Sequence, residues 1–334
     1  MKIGKLPPAI LKELLAKVKI QDERVLLGPH VGEDAAAIRF GDKTLVVKTD
    51  PVTFTTDLIG WYVVNVNAND IATMGAEPRW FLSTILLPEK SSQQEARLIF
   101  EQILEACSSL GITLIGGHTE ISHSLDRPVV AGCMLGEMEK QPIISTAGAQ
   151  VGDDIVVTKG IAIEGATILA RESKQTLLSS GISEDIISRA AEYLFSPGIS
   201  ILKEARIACS TVEVHSMHDP TEGGLATGLS EVAIAAGVGL LIDEKNIPVL
   251  PECRDICEKI AVDPLGLLAS GTLLITLPRS DTSRLLAKLQ DAGIEATNIG
   301  KVVAAGEGVK LRTAAEKKDL PQFERDELAR FLDR

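Results

Sequence analysis

Residues 44–87 are TLVVKTDPVTFTTDLIGWYVVNVNANDIATMGAEPRWFLSTILL, and they contain the pattern that decides the fold. The β-branched run 44–49 predicts a strand, and the apolar run 80–87 predicts a second strand. Between them, residues 57–74 are long enough for a helix, and Gly75 is a natural stop signal. Helix and strand patterns alternate from one end of the chain to the other, which predicts an α/β or α+β fold.

The alternation continues on both sides of this stretch. Ser92, with Glu95 three residues later, predicts the start of a helix that ends at Gly111. Small, polar residues at 147–154 mark the best boundary, and we expect domains at 1–148 and 149–334. The last twenty residues are charged and predict a surface helix. Further strands are predicted at 112–115, 128–137, 155–158, 238–242, 272–277 and 295–303, and further helices after Pro8 and at 165–171, 183–194, 198–208, 223–236, 252–260 and 281–292.

Length, charge and cysteine content limit the class of protein. The chain has 334 residues, which at roughly 150 residues per domain predicts about two domains. Its 34 basic and 46 acidic residues give a net charge of −12, which argues against a nucleic-acid or polybasic membrane-binding protein. Its apolar runs are shorter than the about 20 residues of a membrane span, and its first residues lack an apolar signal core. Five scattered cysteines argue against a disulfide framework, so we expect a cytoplasmic protein.

Several polar residues lie where a predicted element ends or beside glycines. Asp34 lies in VGEDAAA, Asp50 follows the strand TLVVKT, Asp70 lies on the predicted helix, and His118 and Glu120 follow two glycines in IGGHTEI. Aspartate at a turn or strand end is more often structural than catalytic. Taken together, however, carboxylates beside glycine-rich turns are typical of a site that binds Mg²⁺ with a nucleotide phosphate.

Two short patterns leave alternatives open. Asn67 and Asp70 are three residues apart and share a helix face, so they either point toward a site or are polar positions on a half-buried helix. The stretch MHDPTEGGL at 217–225 ends in a glycine-rich helix start, which can bind an anion through free N–H groups. The alternative is a capped helix start with Thr221 or Asp219 as the N-cap.

Other signals are weaker. Cys253 and Cys257 are four residues apart, but one such pair favours ordinary thiols over a zinc site. Lys48 and Lys159 lie beside predicted site strands, where a solvated strand-end lysine is favoured over a phosphate contact. The P-loop, GxGxxG and GxSxG motifs are absent from the sequence, which argues against the protein classes that use them.

Seven motifs, in a fixed order, resemble the aminoimidazole-ribonucleotide (AIR) synthetase superfamily over residues 25–305. The second-half motifs are most similar to the hydrogenase expression/formation protein HypE, and NANDIATMGAEP is also similar to thiamine-monophosphate kinase. The motifs are VGEDAAA (31–37), KTDPV (48–52), NANDIATMGAEP (67–78), GGHTEI (116–121), VGDDIVVTKGI (151–161), MHDPTEGGL (217–225) and DPLGLLASGTLLI (263–275).

The resemblance implies two α/β domains, of which the first pairs its sheet with that of a second copy in a barrel-like homodimer. It implies an ATP site in the cleft between the domains, with Mg²⁺ held by aspartates. It also implies transfer of a phosphoryl group to an amide, carbamoyl or phosphate oxygen of a small substrate. By motif, the expected metal ligands are Asp34, Asp50 and Asp70; the expected nucleotide-binding residues are Asn67, Gly117, His118, Thr119 and Glu120; and the expected catalytic residues are His218 and Asp219.

Three departures from the family pattern leave the reaction open. The chain ends ARFLDR, and its last cysteine is Cys257, so we expect that it lacks the terminal cysteine tail of HypE. His118 replaces a family acid, which puts one metal ligand in doubt, and Glu33 replaces an aspartate. The alternatives are therefore a non-catalytic ATP-binding accessory protein, with a maturation partner, or a dimer whose nucleotide site has decayed.

Overall fold

The computed structural model describes Leu6, residues 8–139 and residues 142–333. The chain forms two compact units. The N-terminal unit comprises Ile20–Gly28 and Ala35–Ile143, and the C-terminal unit comprises Met1–Lys19, Pro29–Asp34 and Ile144–Arg334. Each unit contains one mixed β-sheet with helices, which confirms the predicted α/β class. The domain boundary between residues 148 and 149 stays a prediction.

Helix α1 (Pro8–Leu15) precedes the elements of the N-terminal unit. The sheet of this unit has the strand order β1-β2-β3-β6-β4-β5, with β4 and β5 parallel and the other neighbours antiparallel. In chain order its elements are β1 (Val25–Leu27), β2 (Ala36–Phe40), β3 (Lys43–Val52), α2 (Ile59–Thr73), β4 (Glu77–Pro88), α3 (Gln93–Leu110), β5 (Thr113–Ser122) and β6 (Val129–Glu139).

Helix α2 lies against β3, β4, β6 and α3, and it is buried on nearly all sides. Its asparagines are accommodated locally, since Asn67 Nδ2 donates to the carbonyl oxygen of Val63 one turn earlier. The sheet approaches this side chain closely at Gly132 of β6, where an added Cβ would lie 2.5 Å from Asn67 Nδ2. Helix α3 begins at Ser92, whose hydroxyl accepts the Glu95 N–H at 3.0 Å, as the capping pattern predicts.

The sheet of the C-terminal unit has the order β13-β12-β9-β11-β7-β10-β8, in which β9 and β12 are parallel and the other neighbours antiparallel. The central strands β7 and β10 are almost fully buried. The elements are β7 (Asp154–Thr158), α4 (Ile163–Glu172), α5 (Lys174–Ser179), α6 (Glu184–Ala191), α7 (Leu202–Thr211), β8 (Ser216–His218), α8 (Gly224–Ala236), β9 (Gly239–Asp243), α9 (Pro251–Ile260), β10 (Leu274–Leu277), α10 (Arg279–Asp291), β11 (Ala296–Val303), β12 (Val309–Arg312), β13 (Lys317–Asp319) and α11 (Glu327–Leu332).

Two of the predicted elements differ from the structure in extent or burial, and six elements were not predicted: β1, β2, α5, β8, β12 and β13. Strand β5 does not end at Ile115 but continues to Ser122, because it pairs with β4 along its whole length. The C-terminal segment is not a surface helix: the short helix α11 begins at buried residues, and Asp326 and Leu328 are 3% and 0% exposed. None of the described helices has the length and apolarity that crossing a membrane requires.

Candidate functional site

The N-terminal unit brings three charged side chains together where β3 faces α2. Asp70 on α2 has only 5% of its side chain exposed, and Asp50 lies within β3. Lys48 lies two residues before Asp50 on the same strand, and its Nζ is 3.2 Å from Asp70 Oδ2 and 3.6 Å from Asp50 Oδ2. Two of the predicted metal ligands therefore share one ammonium group. The expectation of a solvated Lys48 is wrong, since this lysine pairs with both carboxylates.

Asn67 connects the same helix to the end of β3. Its Nδ2 donates to the backbone oxygens of Asp50 at 3.1 Å and Val63 at 2.8 Å. The side chain is fully buried, and its Oδ1 has no hydrogen-bond partner among the described residues. A buried acceptor without a partner is expected where a donor group or a cation of a ligand completes the structure. Asn67 thus connects α2 to the backbone of Asp50 through its side-chain nitrogen.

The four predicted nucleotide-binding residues after Gly116 all lie on β5, the edge strand of the sheet. This strand is three places from β3, which corresponds to about 14 Å at 4.7–4.9 Å per strand. His118 and Glu120 lie on one face, 64% and 50% exposed, with Nε2 and Oε2 3.0 Å apart. Gly117 lies against β4, where an added Cβ would be 2.1 Å from the Ser83 oxygen. Thr119 is also exposed. The glycine pair therefore serves strand pairing, whereas sequence analysis predicted a turn.

The C-terminal unit contains a second group of charged side chains. His218 on β8 places Nδ1 2.9 Å from Asp34 Oδ1 and 3.1 Å from Asp34 Oδ2. Its other ring nitrogen, Nε2, lies 3.0 Å from Oε2 of Glu231 on α8. Asp219 follows His218, and carboxylate oxygens of Asp219 and Asp34 lie within 4.8 Å of each other. The structure thus brings three predicted site residues together, whereas Glu231 could not be predicted because no motif contains it.

The surroundings of His218 shift its pKa upward. Burial by itself would lower its pKa, but Asp34 and Glu231 outweigh burial and raise the pKa well above 6.5. Carboxylates only accept hydrogen bonds, and an imidazole donates from both nitrogens only when it is protonated. The two carboxylates therefore favour the protonated form of the buried His218 imidazole.

Glu33, the longer acid of the first motif, has a separate role. Its Oε2 and Oε1 accept the backbone N–H groups of Thr146 at 3.2 Å and Ala147 at 3.1 Å. These residues begin the 3₁₀ helix Thr146–Gly148. Burial raises the pKa of Glu33, while the two backbone donors favour its charged form. The extra methylene relative to aspartate is thus used to reach and cap this helix.

The glycine-rich start of α8 is capped from within the chain. Neither Thr221 nor Asp219 is the N-cap, because the helix begins after Gly223, in the left-handed conformation at φ 78°. The backbone N–H of Gly223 donates to Asp326 Oδ2 at 2.7 Å. The C-terminal segment therefore supplies the carboxylate that this helix start favours.

The three weaker candidates, Cys253, Cys257 and Lys159, are buried and contact other groups of the same unit. The Sγ atoms of Cys253 and Cys257 are 3.9 Å apart and buried on α9, and the neighbouring thiol and burial raise the pKa of Cys257. Lys159 is not solvated as expected: its Nζ lies 2.8 Å from Glu204 Oε1, with both side chains at most 5% exposed. The three donors of this ammonium group are used within the unit.

Each unit offers oxygen ligands of the kind that Mg²⁺ prefers. Asp50 and Asp70 do so in the N-terminal unit, and Asp34 and Asp219 do so in the C-terminal unit. The buried, unpaired Oδ1 of Asn67 adds a neutral oxygen. These donors are all hard oxygen atoms, so the residues present fit a magnesium-bound nucleotide better than a soft metal.

Family models match both halves of the chain. Residues 32–138 match the N-terminal domain of AIR synthase related proteins, and residues 150–312 match the C-terminal domain. The chain belongs to the AIR synthase related protein family. The resemblance inferred from the seven motifs is therefore confirmed.

Three proteins illustrate the likeness. Carbamoyl dehydratase HypE of Cupriavidus necator is 30% identical over 294 residues, which cover 84% of this chain and 80% of the relative. A solved structure of the hydrogenase maturation protein HypE in complex with ATP has a TM-score of 0.73 at 23% identity, with 96% of this chain and 91% of that chain covered. Thiamine monophosphate kinase from Aquifex aeolicus has a TM-score of 0.69 at 20% identity, with 93% and 97% covered. The two structural likenesses show a shared fold.

Proposed function

We propose that this protein is a Mg²⁺-ATP-dependent enzyme that transfers a phosphoryl group to an oxygen of a small amide, carbamoyl or phosphate substrate. The observation that carries the proposal is that two pairs of carboxylates lie at family motif positions. Asp50 and Asp70 form one pair, and Asp34 and Asp219 form the other. Family membership and the ATP complex of a HypE protein support it. ATP with Mg²⁺ would supply the phosphoryl group and neutralise its developing charge.

In this proposal the chain's own residues position charge. Asp50 and Asp70 would hold a metal ion in the N-terminal unit, Asp34 would do so in the C-terminal unit, and Asn67 fixes Asp50 through its backbone oxygen. Lys48, already beside Asp70, offsets part of the negative charge there. Positioning of this kind supplies most of the catalysis in phosphoryl transfer, because the reaction needs little covalent help from the protein.

The proposed step forms one bond and breaks one bond. The acceptor oxygen bonds to the γ-phosphorus of ATP, while the bond from this phosphorus to the β–γ bridging oxygen breaks and ADP leaves. We assign Asp219 to the acceptor side, and we assign His118, Gly117, Thr119 and Glu120 on β5 to the nucleotide. The names of the relatives favour two acceptor classes, a carbamoyl oxygen and a phosphate oxygen.

A thermal-shift titration tests nucleotide binding first, with Mg²⁺-ATP, Mg²⁺-ADP and Mg²⁺ alone. Ligand at one hundred times its dissociation constant adds about 2.7 kcal/mol to the free energy of unfolding. For domains of this size we expect an increase of several degrees in Tm, at about 2–4 °C per kcal/mol. Absence of any shift at millimolar Mg²⁺-ATP would refute the proposal.

Variants then locate the site. Asp70→Asn removes one carboxylate charge with little change in shape, and we expect it to abolish the Mg²⁺-ATP shift. Asp153→Asn is the matched control, because Asp153 is 3% exposed and its carboxylate is bound by His215 outside the proposed site. We expect this control to keep the shift. Equal shifts in the wild type and Asp70→Asn would show that Asp70 is not a ligand.

Turnover distinguishes an enzyme from an ATP-binding accessory protein. Purified protein is incubated with Mg²⁺-ATP and either thiamine monophosphate or a peptide with a carbamoylated cysteine, and ADP is measured. We expect ADP release only with one acceptor class. If nucleotide binds but neither acceptor stimulates ADP release, the accessory role, with a maturation partner that acts on the substrate, replaces the enzymatic one.

We also propose that the N-terminal unit forms a homodimer through β5. This edge strand exposes Ile115 at 53% and Ile121 at 65%, and exposed apolar edge strands are ready to pair with another chain. We expect a dimer mass by light scattering after size exclusion, and a monomer mass for Ile121→Lys. A dimeric Ile121→Lys variant would place the interface elsewhere.

A further inference from the structure

We propose that Glu231 is a positioning residue that sets the orientation of Asp34 through His218. This inference rests on the proposed function, in which Asp34 is a metal ligand. Glu231 lies outside all seven family motifs, in the second half of α8. Its carboxylate, the imidazole of His218 and the carboxylate of Asp34 form a continuous hydrogen-bonded chain within the C-terminal unit.

The first two members of this hydrogen-bonded series, Glu231 and His218, lie on rigid elements. Glu231 comes from the helix α8, and His218 ends β8, which pairs with β10 at Leu274. The side chains of His218, Asp34 and Glu231 are only 4%, 9% and 15% exposed. Buried side chains on rigid elements have little freedom to change rotamer. The imidazole therefore presents Nδ1 to Asp34 in one fixed direction.

The backbone that carries Asp34 is fixed by its two preceding residues. Gly32, at φ 89°, lies directly on α8, where an added Cβ would be 3.0 Å from the carbonyl oxygen of Glu231. Glu33 is bonded to the N–H groups at the start of the 3₁₀ helix Thr146–Gly148. The side-chain torsions of Asp34 then remain, of which the terminal one is broad and roughly two-fold. His218 Nδ1, in contact with both Asp34 oxygens, removes that last freedom.

The geometry gives His218 and Glu231 a positioning role in place of a catalytic one. Both ring nitrogens of His218 have carboxylate partners at 2.9–3.1 Å, so neither nitrogen is available to a substrate unless a bond breaks. The bond to Asp34 does not use all of its oxygen lone pairs, because a carboxylate has about four acceptor positions. Partners behind a metal ligand typically change metal affinity by about 10–100-fold when they are mutated.

The test is a Mg²⁺ titration at fixed ATP, followed by thermal shift, on full-length variants. Glu231→Ala removes the outer carboxylate, and we expect it to raise the Mg²⁺ concentration for half-maximal stabilisation by about 10–100-fold. Glu231→Gln keeps an oxygen that accepts the Nε2–H, so we expect a Mg²⁺ requirement close to that of the wild type. If Glu231→Gln needs as much Mg²⁺ for half-maximal stabilisation as Glu231→Ala does, the positioning role is overturned.

The control is His215→Asn. His215 bonds Asp153 at 2.8 Å and is partly buried in the same unit, so this change removes an equivalent imidazole–carboxylate pair without touching Asp34. We expect it to alter the Tm of the free protein but not the Mg²⁺ requirement. If the wild type binds Mg²⁺-ATP and Glu231→Ala has an unchanged Mg²⁺ requirement, the inference alone fails. If Mg²⁺-ATP does not stabilise the wild type, the proposed function fails, and the inference fails with it.

Discussion

The buried ion pair between Lys159 and Glu204 provides a quantitative test of the C-terminal unit. The lysine Nζ lies 2.8 Å from Glu204 Oε1 and donates to the backbone oxygens of Gly198 at 3.0 Å and Ser200 at 2.6 Å. The side chains are 5% and 4% exposed. Burial lowers the pKa of Lys159, and Glu204 partly restores it. Among the described residues, Glu204 is the carboxylate that pairs with this buried ammonium.

Removal of one partner from such a pair costs about 3–5 kcal/mol, because the other charge stays buried without compensation. We expect Glu204→Ala to lower the free energy of unfolding by this amount. At about 2–4 °C per kcal/mol, the Tm of the C-terminal unit falls by about 6–20 °C. The measurement is urea unfolding, followed by circular dichroism, together with a thermal scan.

The double variant Lys159→Met/Glu204→Leu tests the cause of this loss. It removes both charges, so we expect it to recover part of the stability lost in Glu204→Ala. Recovery stays incomplete, since the carbonyl groups of Gly198 and Ser200 lose their donor. Because Lys159 contacts only groups of its own unit in these bonds, we expect the double variant to keep the Mg²⁺-ATP shift.

An exposed pair is the matched control. Lys174 and Glu184 lie 2.5 Å apart with 44% and 69% of their side chains exposed, so Glu184→Ala should cost less than about 1 kcal/mol. A loss in Glu204→Ala as small as the loss in Glu184→Ala would refute the reasoning. It would show that water or neighbouring groups compensate the ammonium of Lys159.

Two further predictions concern pH and strand pairing. Burial raises the pKa of both Glu164 and Asp326 to about 7, so the folded protein keeps protons that the unfolded chain has released. We therefore expect the free energy of unfolding to fall as pH rises from about 4 to about 7, by at most about 1.4 kcal/mol per pH unit for each group. In urea titrations at several pH values, Glu164→Gln should reduce this slope. An unchanged slope would exclude Glu164 as its source. Gly117→Ala would place a Cβ 2.1 Å from the Ser83 oxygen, so we expect it to lower the Tm by several degrees. The control Gly306→Ala meets no atom within 4 Å and should change the Tm little. Equal Tm values for the two variants would contradict the close approach of β4 and β5.

The strand–helix–strand core could be predicted because its signals are local. The β-branched run before Asp50, the apolar helix around Asp70 and the capping residue Ser92 each specify an element without reference to the rest of the chain. The order of the motifs then identified the family. These features need only short-range rules and a comparison of patterns.

Features that depend on long-range contacts could not be predicted. The glycine pair before His118 is typical of a turn, but it lies in β5, since the backbone of β4 leaves no room for a side chain at Gly117. Lys159 is near a strand end, yet Glu204 from α7 buries it. Asp326, in a charged segment that predicted a surface helix, caps the start of α8. In each case the deciding partner is distant in sequence.

Glu33 and His118 show how a motif departure is understood only with its neighbours. The sequence suggested that His118 costs a metal ligand, but an acid lies two residues later on the same strand face, where Glu120 is bonded to the imidazole. Glu33 is one methylene longer than the aspartate of the family pattern, and its carboxylate accepts the backbone N–H groups of Thr146 and Ala147. Each departure is therefore bonded to a group that its own motif position does not identify.

In each unit, one of the proposed metal-binding carboxylates has a cation supplied by the chain. Lys48 lies beside Asp70, and protonated His218 lies beside Asp34. A free Mg²⁺ ion would have to share these carboxylates with existing positive charges, which opposes its binding by Coulomb repulsion. In the proposed function, the triphosphate of ATP would bring the negative charge that favours the metal and the internal cations together. The metal and the nucleotide should therefore bind jointly, and Mg²⁺ alone should stabilise the protein far less than Mg²⁺-ATP.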